Sequence, residues 1–287
     1  MPVETWDKDE IKKLAFVSGK PLEVECAEVF LRAGWQVRLG AYYNDASTEK
    51  VRELDLLIHK NRSWQIGSTN WEICIRVLGS CKGFPPEHGP VTYSVSSQSN
   101  SVYPPAFISQ WRNAIGTLIN APLGERGAKA FLARTKLAMG RQVVGFDIIQ
   151  RKEIQKKPAQ FEYSRKTDRD LYEGLDSAIK ASVYWDRNEW LWRQCQGRNS
   201  GYVVLNIPLL VTSQPFWDVS IDKGIPTEPE LKHSGYHVGY YPFAGKEGLP
   251  APILSLLWEV SKLSELTPVL DTMIEFLFDR IEEETNH

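Results

Sequence analysis

The sequence predicts an α/β fold, a mixed central sheet flanked by helices, with a helical extension at the C-terminus. Three observations lead to it. An amphipathic helical pattern, PLEVECAEVFLRA, is followed at once by three strand-like runs. A mostly apolar stretch, YVVLNIPLLV from Tyr202 to Val211, reads as a buried strand pair interrupted by Asn206 and Pro208. A helical pattern lies between these regions and amphipathic patterns close the chain, so helices and strands alternate along it. With 287 residues and no linker that divides the chain, residues 1–250 are read as one domain. Residues 251–287 are read as a C-terminal helical extension packed on it.

The elements follow in order. Residues 1–19 are a polar lead-in with a short helix expected at Lys8–Phe16. The first strong helix starts at Pro21, which suits a first turn, presents Leu22, Ala27, Phe30 and Leu31 as an apolar face, and ends at Gly34. Three strands are expected next: WQVRLGAYY, RELDLLIHK and WEICIRVLGSCK, with turns at NDASTEK and KNRSW and a polar loop at IGSTN. Residues 83–106, rich in Pro, Ser and Gly, read as loop. Helices are expected at Ile108–Asn120 and Ala128–Met139, a strand at Arg141–Gln150, and a helix from Asp168 to Tyr184. FWDVSI and YHVGYYPF read as strands, and Pro252 to Glu284 as one or two helices.

Composition narrows the function classes. The 34 basic and 36 acidic side chains leave a formal charge of −2, so no global positive field argues for nucleic acid, although a local basic face is compatible. The segment from Arg151 to Arg169 carries seven basic residues against three acidic ones and reads first as a solvated loop, second as a nucleic-acid-facing patch. No apolar run has the length of a membrane span, and MPVETWDKDEIKK has no apolar core of a secretory signal. The chain is expected to be soluble, cytoplasmic and without a membrane partner. Cys26, Cys74, Cys81 and Cys195 form no C-x-x-C pair and are expected to be free thiols. His233 and His237 are separated by Gly235 and are read as loop and strand-edge residues. The ten tryptophans and eleven tyrosines are assigned to packing first and to base stacking second. Rossmann, Walker A, H-E-x-x-H and G-x-S-x-G motifs are all missing from the sequence.

Three charged residues stand out by position. Glu23 lies on the first helix, Asp55 inside the apolar strand L-D-L-L-I, and Lys82 at the end of the next strand in G-S-C-K. A carboxylate in so apolar a strand is costly unless paired or metal-bound. Together with PLEVECAEVFLRAGWQV, YYND, RELDLLIHK and the SCKG corner, this order resembles the PD-(D/E)XK nuclease superfamily, the restriction-endonuclease-like and Mrr-like proteins. The resemblance covers residues 20–90 well and 170–245 loosely. It implies a magnesium-dependent nuclease, with manganese as a substitute, acting most naturally on DNA. It also implies roles: Asp55 as metal ligand, Lys82 as the catalytic lysine, Glu23 as the supporting helix carboxylate, and the backbone carbonyl of Cys81 as a further ligand.

The chemistry is coherent. Phosphodiester hydrolysis needs a stabilised transition-state charge and an activated water, which a hard cation on carboxylate oxygens supplies. Residues i and i+2 of a strand share a face, so an acid-x-Lys tripeptide presents ligand and ammonium together. Here the acid is replaced by Ser80, which is neutral. Glu72 lies on the right face but about 26 Å along the strand, while Glu53 is about 6.6 Å from Asp55 and can substitute. Glu25, about 200° from Glu23 on the helical wheel, and Glu87, on a loop, are further candidates. Two readings follow: a working nuclease served by Glu53, or a nuclease-like subunit that has lost its chemistry and acts in DNA binding or assembly, with a protein partner or a second copy.

Overall fold

The computed structural model describes residues 7–8, 19–45, 47–85, 87–95, 112–113, 142–153, 161–166, 169–193, 200–222, 224–241 and 251–285. Helix α1 (Lys20–Arg32) leads into β1 (Gln36–Asp45), β2 (Lys50–Ile66), β3 (Thr69–Lys82), β4 (His88–Val95) and the short β5 (Arg112–Asn113). β6 (Gln142–Glu153) and β7 (Phe161–Lys166) precede α2 (Arg169–Arg193). Then come β8 (Ser200–Thr212), β9 (Phe216–Asp222), β10 (Ile225–Pro226), β11 (Glu230–Lys232), β12 (Ser234–Tyr241) and β13 (Ala251–Glu259). A 3₁₀ segment (Val260–Glu265) and α3 (Leu266–Thr285) close the chain. None of the described helices is long and apolar enough to cross a membrane.

The described strands form one sheet in the order β1-β2-β3-β8-β13-β12-β6-β4-β9-β10, with β5 beside β8, β7 beside β6 and β11 beside β9. β1, β2 and β3 make an antiparallel meander, β8 runs parallel to β3, and β13 runs parallel to β8. Helices α1 and α3 cover one face: Leu22, Cys26 and Phe30 join Leu270, Met273 and Leu277 over Ile58, Ile75, Leu205 and Leu209. Helix α2 covers the other, where Leu171, Leu175 and Ile179 pack on Phe146, Leu210 and Leu257. Strand β8 is buried on both faces, which accounts for its mostly apolar sequence.

Pro208 is tolerated inside this central strand for a local reason. On the edge of β8 away from β3, β5 pairs Val203 and Val204, and β13 begins only at Leu209. Pro208 therefore lies between the two ladders that the described residues form on that edge.

Several expectations change. β8 is one continuous strand, not an interrupted pair. β2 runs through the expected turn at KNRSW and turns into β3 only at Gly67, because Trp64 stacks on Trp71, meets Phe278 edge-on and keeps the ribbon paired. Residues 88–95, read as loop for their Gly, Pro and Ser, form β4, buried between β6 and β9. Arg112–Asn113 pair with β8, although a helix was expected there; the rest of Ile108–Asn120, Ala128–Met139 and most of Lys8–Phe16 lie outside the described residues. The basic segment is not a plain loop: β7 returns along β6 from Glu153↔Phe161 to Ile148↔Lys166. The expected C-terminal helical extension begins only at Leu266, because Ala251–Glu259 is a strand inside the sheet, between β8 and β12. Its apolar run is buried on both sides, and such a run carries no period that separates strand from helix.

Asp45 ties the meander to α2. Its carboxylate is fully buried and accepts from Ser47 N (2.9 Å), Ser47 Oγ (2.6 Å) and Arg52 Nε (2.7 Å), with Lys180 Nζ of α2 at 3.5 Å. Burial pushes its pKa up, but the hydrogen bonds from Ser47, Thr48 and Arg52 outweigh that and hold it well below the usual carboxylate range. A depressed folded pKa stabilises the protein fully above the unfolded value of 3.8 and progressively less below it. Asp45→Asn should therefore cost about 2 kcal/mol at pH 7 in urea unfolding, since charged hydrogen bonds are lost. The gap to wild type should shrink as the pH falls below 3.8; a gap that stays constant down to acid pH contradicts this role.

Candidate functional site

The site lies where β2 and β3 part. Their ladder runs from Ile66↔Thr69 to Leu56↔Gly79 and stops there. One residue further along β2 is Asp55, and its carboxylate takes the place of the missing ladder partner: Oδ2 accepts from the Cys81 backbone N–H at 2.7 Å and from Ser80 Oγ at 3.1 Å. The two-residue alternation of β2 also breaks at this point. Leu56 and Ile58 pack under α1 and α3, whereas Leu54 and Leu57 pack in the cluster under α2. Gly40, opposite on β1, has φ +61°, and a Cβ there would meet Glu53 Oε1 at 3.1 Å. A left-handed glycine thus makes room for the Glu53 side chain and bends the edge.

The third strand keeps its alternation. Cys81 turns toward α1, where its Sγ is 3.8 Å from Cys26 Sγ. Ser80 and Lys82 turn the other way, since both lie against Gly174 of α2. Expectation and structure agree that residues 80 and 82 share a face. Ser80 is buried and donates to Asp55, so the hydroxyl that stands where an acid was expected works as a hydrogen-bond donor to the neighbouring carboxylate. Lys82 is half-buried and forms no ion pair among the described residues.

Glu23 comes in from α1. It is buried in the first turn of the helix, where a negative charge suits the macrodipole, and Lys20 Nζ lies 2.9 Å from its Oε2. The same ammonium is 3.3 Å from Glu53 Oε1, so Lys20 bridges the helix carboxylate and the strand carboxylate. Burial pushes the pKa of Glu23 up; the Lys20 hydrogen bond opposes this, and the charges of Asp55 and Glu53 reinforce it. Glu23, Glu53 and Asp55 thus form one electrostatically coupled group balanced by a half-exposed lysine. Among the described residues, no three His, Cys, Asp or Glu side chains converge as a ready-made metal cage.

The structure therefore brings Asp55, Ser80 and the Cys81 backbone into direct contact, gathers Glu23 and Glu53 around Lys20, and sets Lys82 beside Ser80. Glu25 is exposed on α1, and Glu87 is exposed just before β4, outside the carboxylates that Lys20 joins. Glu72 accepts from Asn61 Nδ2 at 3.0 Å, far along the ribbon as its spacing required. Sequence reasoning did not single out Lys20 or Gly174. The three-residue spacing of Lys20 and Glu23 was a usable signal, as was a glycine inside a helical pattern.

Expected as a strand-edge residue, His237 instead lies where β12 is paired on both sides. His233 pairs with Glu259, and His237, inside β12, donates from Nδ1 to the Val143 carbonyl at 2.8 Å; burial lowers the pKa of His237. Trp35 and Trp71 are core residues. Comparison with protein-family models, curated proteins and solved structures finds no match for this chain.

Cys26, Cys74 and Cys81 are free and buried, and Cys195 lies outside the described residues. The bond to Cys26 and burial both push the Cys81 thiol well above its ordinary pKa. All three should react with a disulfide reagent at pH 8 at least about a hundredfold more slowly in the native protein than in urea, because reaction needs local opening. Peptide mapping of the labelled thiols checks this; rapid native labelling of Cys26 or Cys81 would contradict the packing of α1 on β3.

Proposed function

We propose that this chain is a metal-dependent phosphodiesterase, a nuclease acting on DNA with a restriction-endonuclease-like core of the PD-(D/E)XK type. The observation that carries the reading is Asp55, held by the Cys81 N–H and Ser80 at the point where two strands part, with Lys82 two residues beyond Ser80. The topology supports it. A helix followed by three successive strands is what the sequence resemblance calls for; α1 leads into such a meander, and β1, β2, β3 and β8 are contiguous.

The side chains fit a hard cation in their chemistry. Asp55 Oδ2 takes both hydrogen bonds and its Oδ1 takes none among the described residues, while Glu23 and Glu53 share one lysine. Asp55, Glu23, Glu53 and the Cys81 carbonyl would hold magnesium or manganese, which supplies Lewis acidity and an acidified water when bound. Asp55 is oriented by its two donors, so its free oxygen is presented without a search over rotamers. Glu53 supplies the charge that Ser80 lacks. Lys20, with most of its side chain reachable by solvent, can leave the carboxylates to a competing cation. Lys82 adds positive charge against the phosphate, where a fixed ammonium is worth more than one in water.

A second reading is favoured by a specific observation: Ser80 is neutral, and no cage of three ligands is preformed among the described residues. On it, the core survives as a DNA-binding or assembly subunit.

Cleavage of plasmid, linear and single-stranded DNA with magnesium or manganese separates the two. The nuclease reading expects metal-dependent cleavage by wild type and a loss of about a hundredfold or more in Lys82→Ala. Cleavage that Lys82→Ala leaves unchanged overturns the assignment; DNA binding without cleavage moves the conclusion to the second reading.

A further inference from the structure

Helix α2 carries a glycine at an unexpected place. Gly174 is buried within the helix, and interior helix glycines are ordinarily a destabilising choice. A Cβ at this position would lie 2.7 Å from Lys82 Cε, 3.0 Å from Leu210 Cδ1 and 3.2 Å from Ser80 Oγ. The first distance is shorter than methyl and methylene carbons tolerate. The missing side chain is therefore a notch in α2, and the Lys82 stem passes through it.

We propose that Gly174 is a positioning residue for Lys82: the notch holds the lysine stem between α2 and the end of β3, so that the ammonium is held at the sheet end that carries Ser80 and Asp55. The functional half of this rests on the nuclease reading; the notch itself does not. A lysine has four rotatable bonds and at a strand end ordinarily extends into solvent. Here the helix backbone restricts it, and the entropy of ordering the stem is lost on folding, before any substrate binds. The same contact bears on Ser80. Its Oγ shares the notch, so position 80 has room for a small side chain only while α2 stays this close. A short hydroxyl at 80, a glycine at 174 and a threaded lysine at 82 are one packing solution.

The test is a double-mutant cycle on the full chain, with wild type, Gly174→Ala, Lys82→Ala and the double variant read by thermal unfolding and then by metal-dependent DNA cleavage. Gly174→Ala should shift Tm less favourably in wild type than in Lys82→Ala, since the added methyl has to displace the lysine only where the lysine is present. Leu210 Cδ1 and Ser80 Oγ remain as neighbours in both backgrounds, so the cycle reads the difference that the Lys82 side chain makes. If Gly174→Ala does not fold alone, its recovery in the Lys82→Ala background supports the notch. Equal Tm shifts in both backgrounds, or failure to fold in both, overturn it.

For cleavage, Gly174→Ala should lower kcat by about tenfold or more with KM for DNA held, and should add nothing to the loss in Lys82→Ala. Losses that multiply would overturn the positioning role, because general damage to the helix acts independently of the lysine. The Tm cycle needs no activity. Coupling in Tm with no cleavage by any of the four proteins would support the notch while overturning the nuclease reading.

Discussion

The parallel ladder between β3 and β8, continuous from Asn70↔Ser200 to Lys82↔Thr212, is the constraint on which the rest depends. Parallel strands cannot be joined by a tight turn, so the chain between them must cross a face of the sheet. The crossing includes α2, and its early turns lie over the C-terminal end of β3. That places a helix against Ser80 and Lys82 and buries both faces of the two strands. On the other face α1 and α3 complete the core, and α1 brings Glu23 and Cys26 to the same end. The candidate site is therefore built at the rim of the most buried part of the sheet. The backbone there is well supported, and Lys20 and Glu53 reach solvent while Glu23 stays buried.

The opening of β2 from β3 gives that rim its chemistry. Where the ladder stops, the Cys81 N–H needs an acceptor, and Asp55 provides one from its side chain. The bond meets two requirements at once: a backbone donor is satisfied, and a carboxylate among apolar neighbours is given a partner. Ser80 adds a second donor to the same oxygen, where an acid would have added a like charge. The negative charge is spread instead over Glu23 and Glu53, and Lys20 balances them. Like-charged carboxylates this close are unfavourable to stability alone, a pattern common at sites that bind a cation or anchor a reaction.

Much of the fold around the site was legible in the residues. The amphipathic pattern of α1, the alternation of β1 and the apolar centre of β2 each have a period that a short window reveals, and Asp55 stood out because a carboxylate there demanded a partner. Other elements gave no such signal. Ile253–Leu257 is buried on both sides, and an apolar run broken by one small serine has no period to read. In β4, Gly89, Pro90 and Ser94 look like loop, and only pairing with β6 and β9 makes the segment a strand. Leu31 belonged to the expected apolar face of α1 but is exposed, because that helix rests on the sheet through Leu22, Cys26, Ala27 and Phe30. The bridging of Lys20 to Glu53 and the notch at Gly174 exist only between elements far apart in sequence, so spacing along the chain could not reveal them.

The most direct test of the account is calorimetric titration of the metal-free protein with magnesium and with manganese, wild type beside Asp55→Ala, with folding of both checked by thermal unfolding. The account predicts saturable binding by wild type that Asp55→Ala abolishes while remaining folded. No binding by wild type at millimolar metal, or binding that Asp55→Ala leaves intact, would contradict a cation site centred on Asp55.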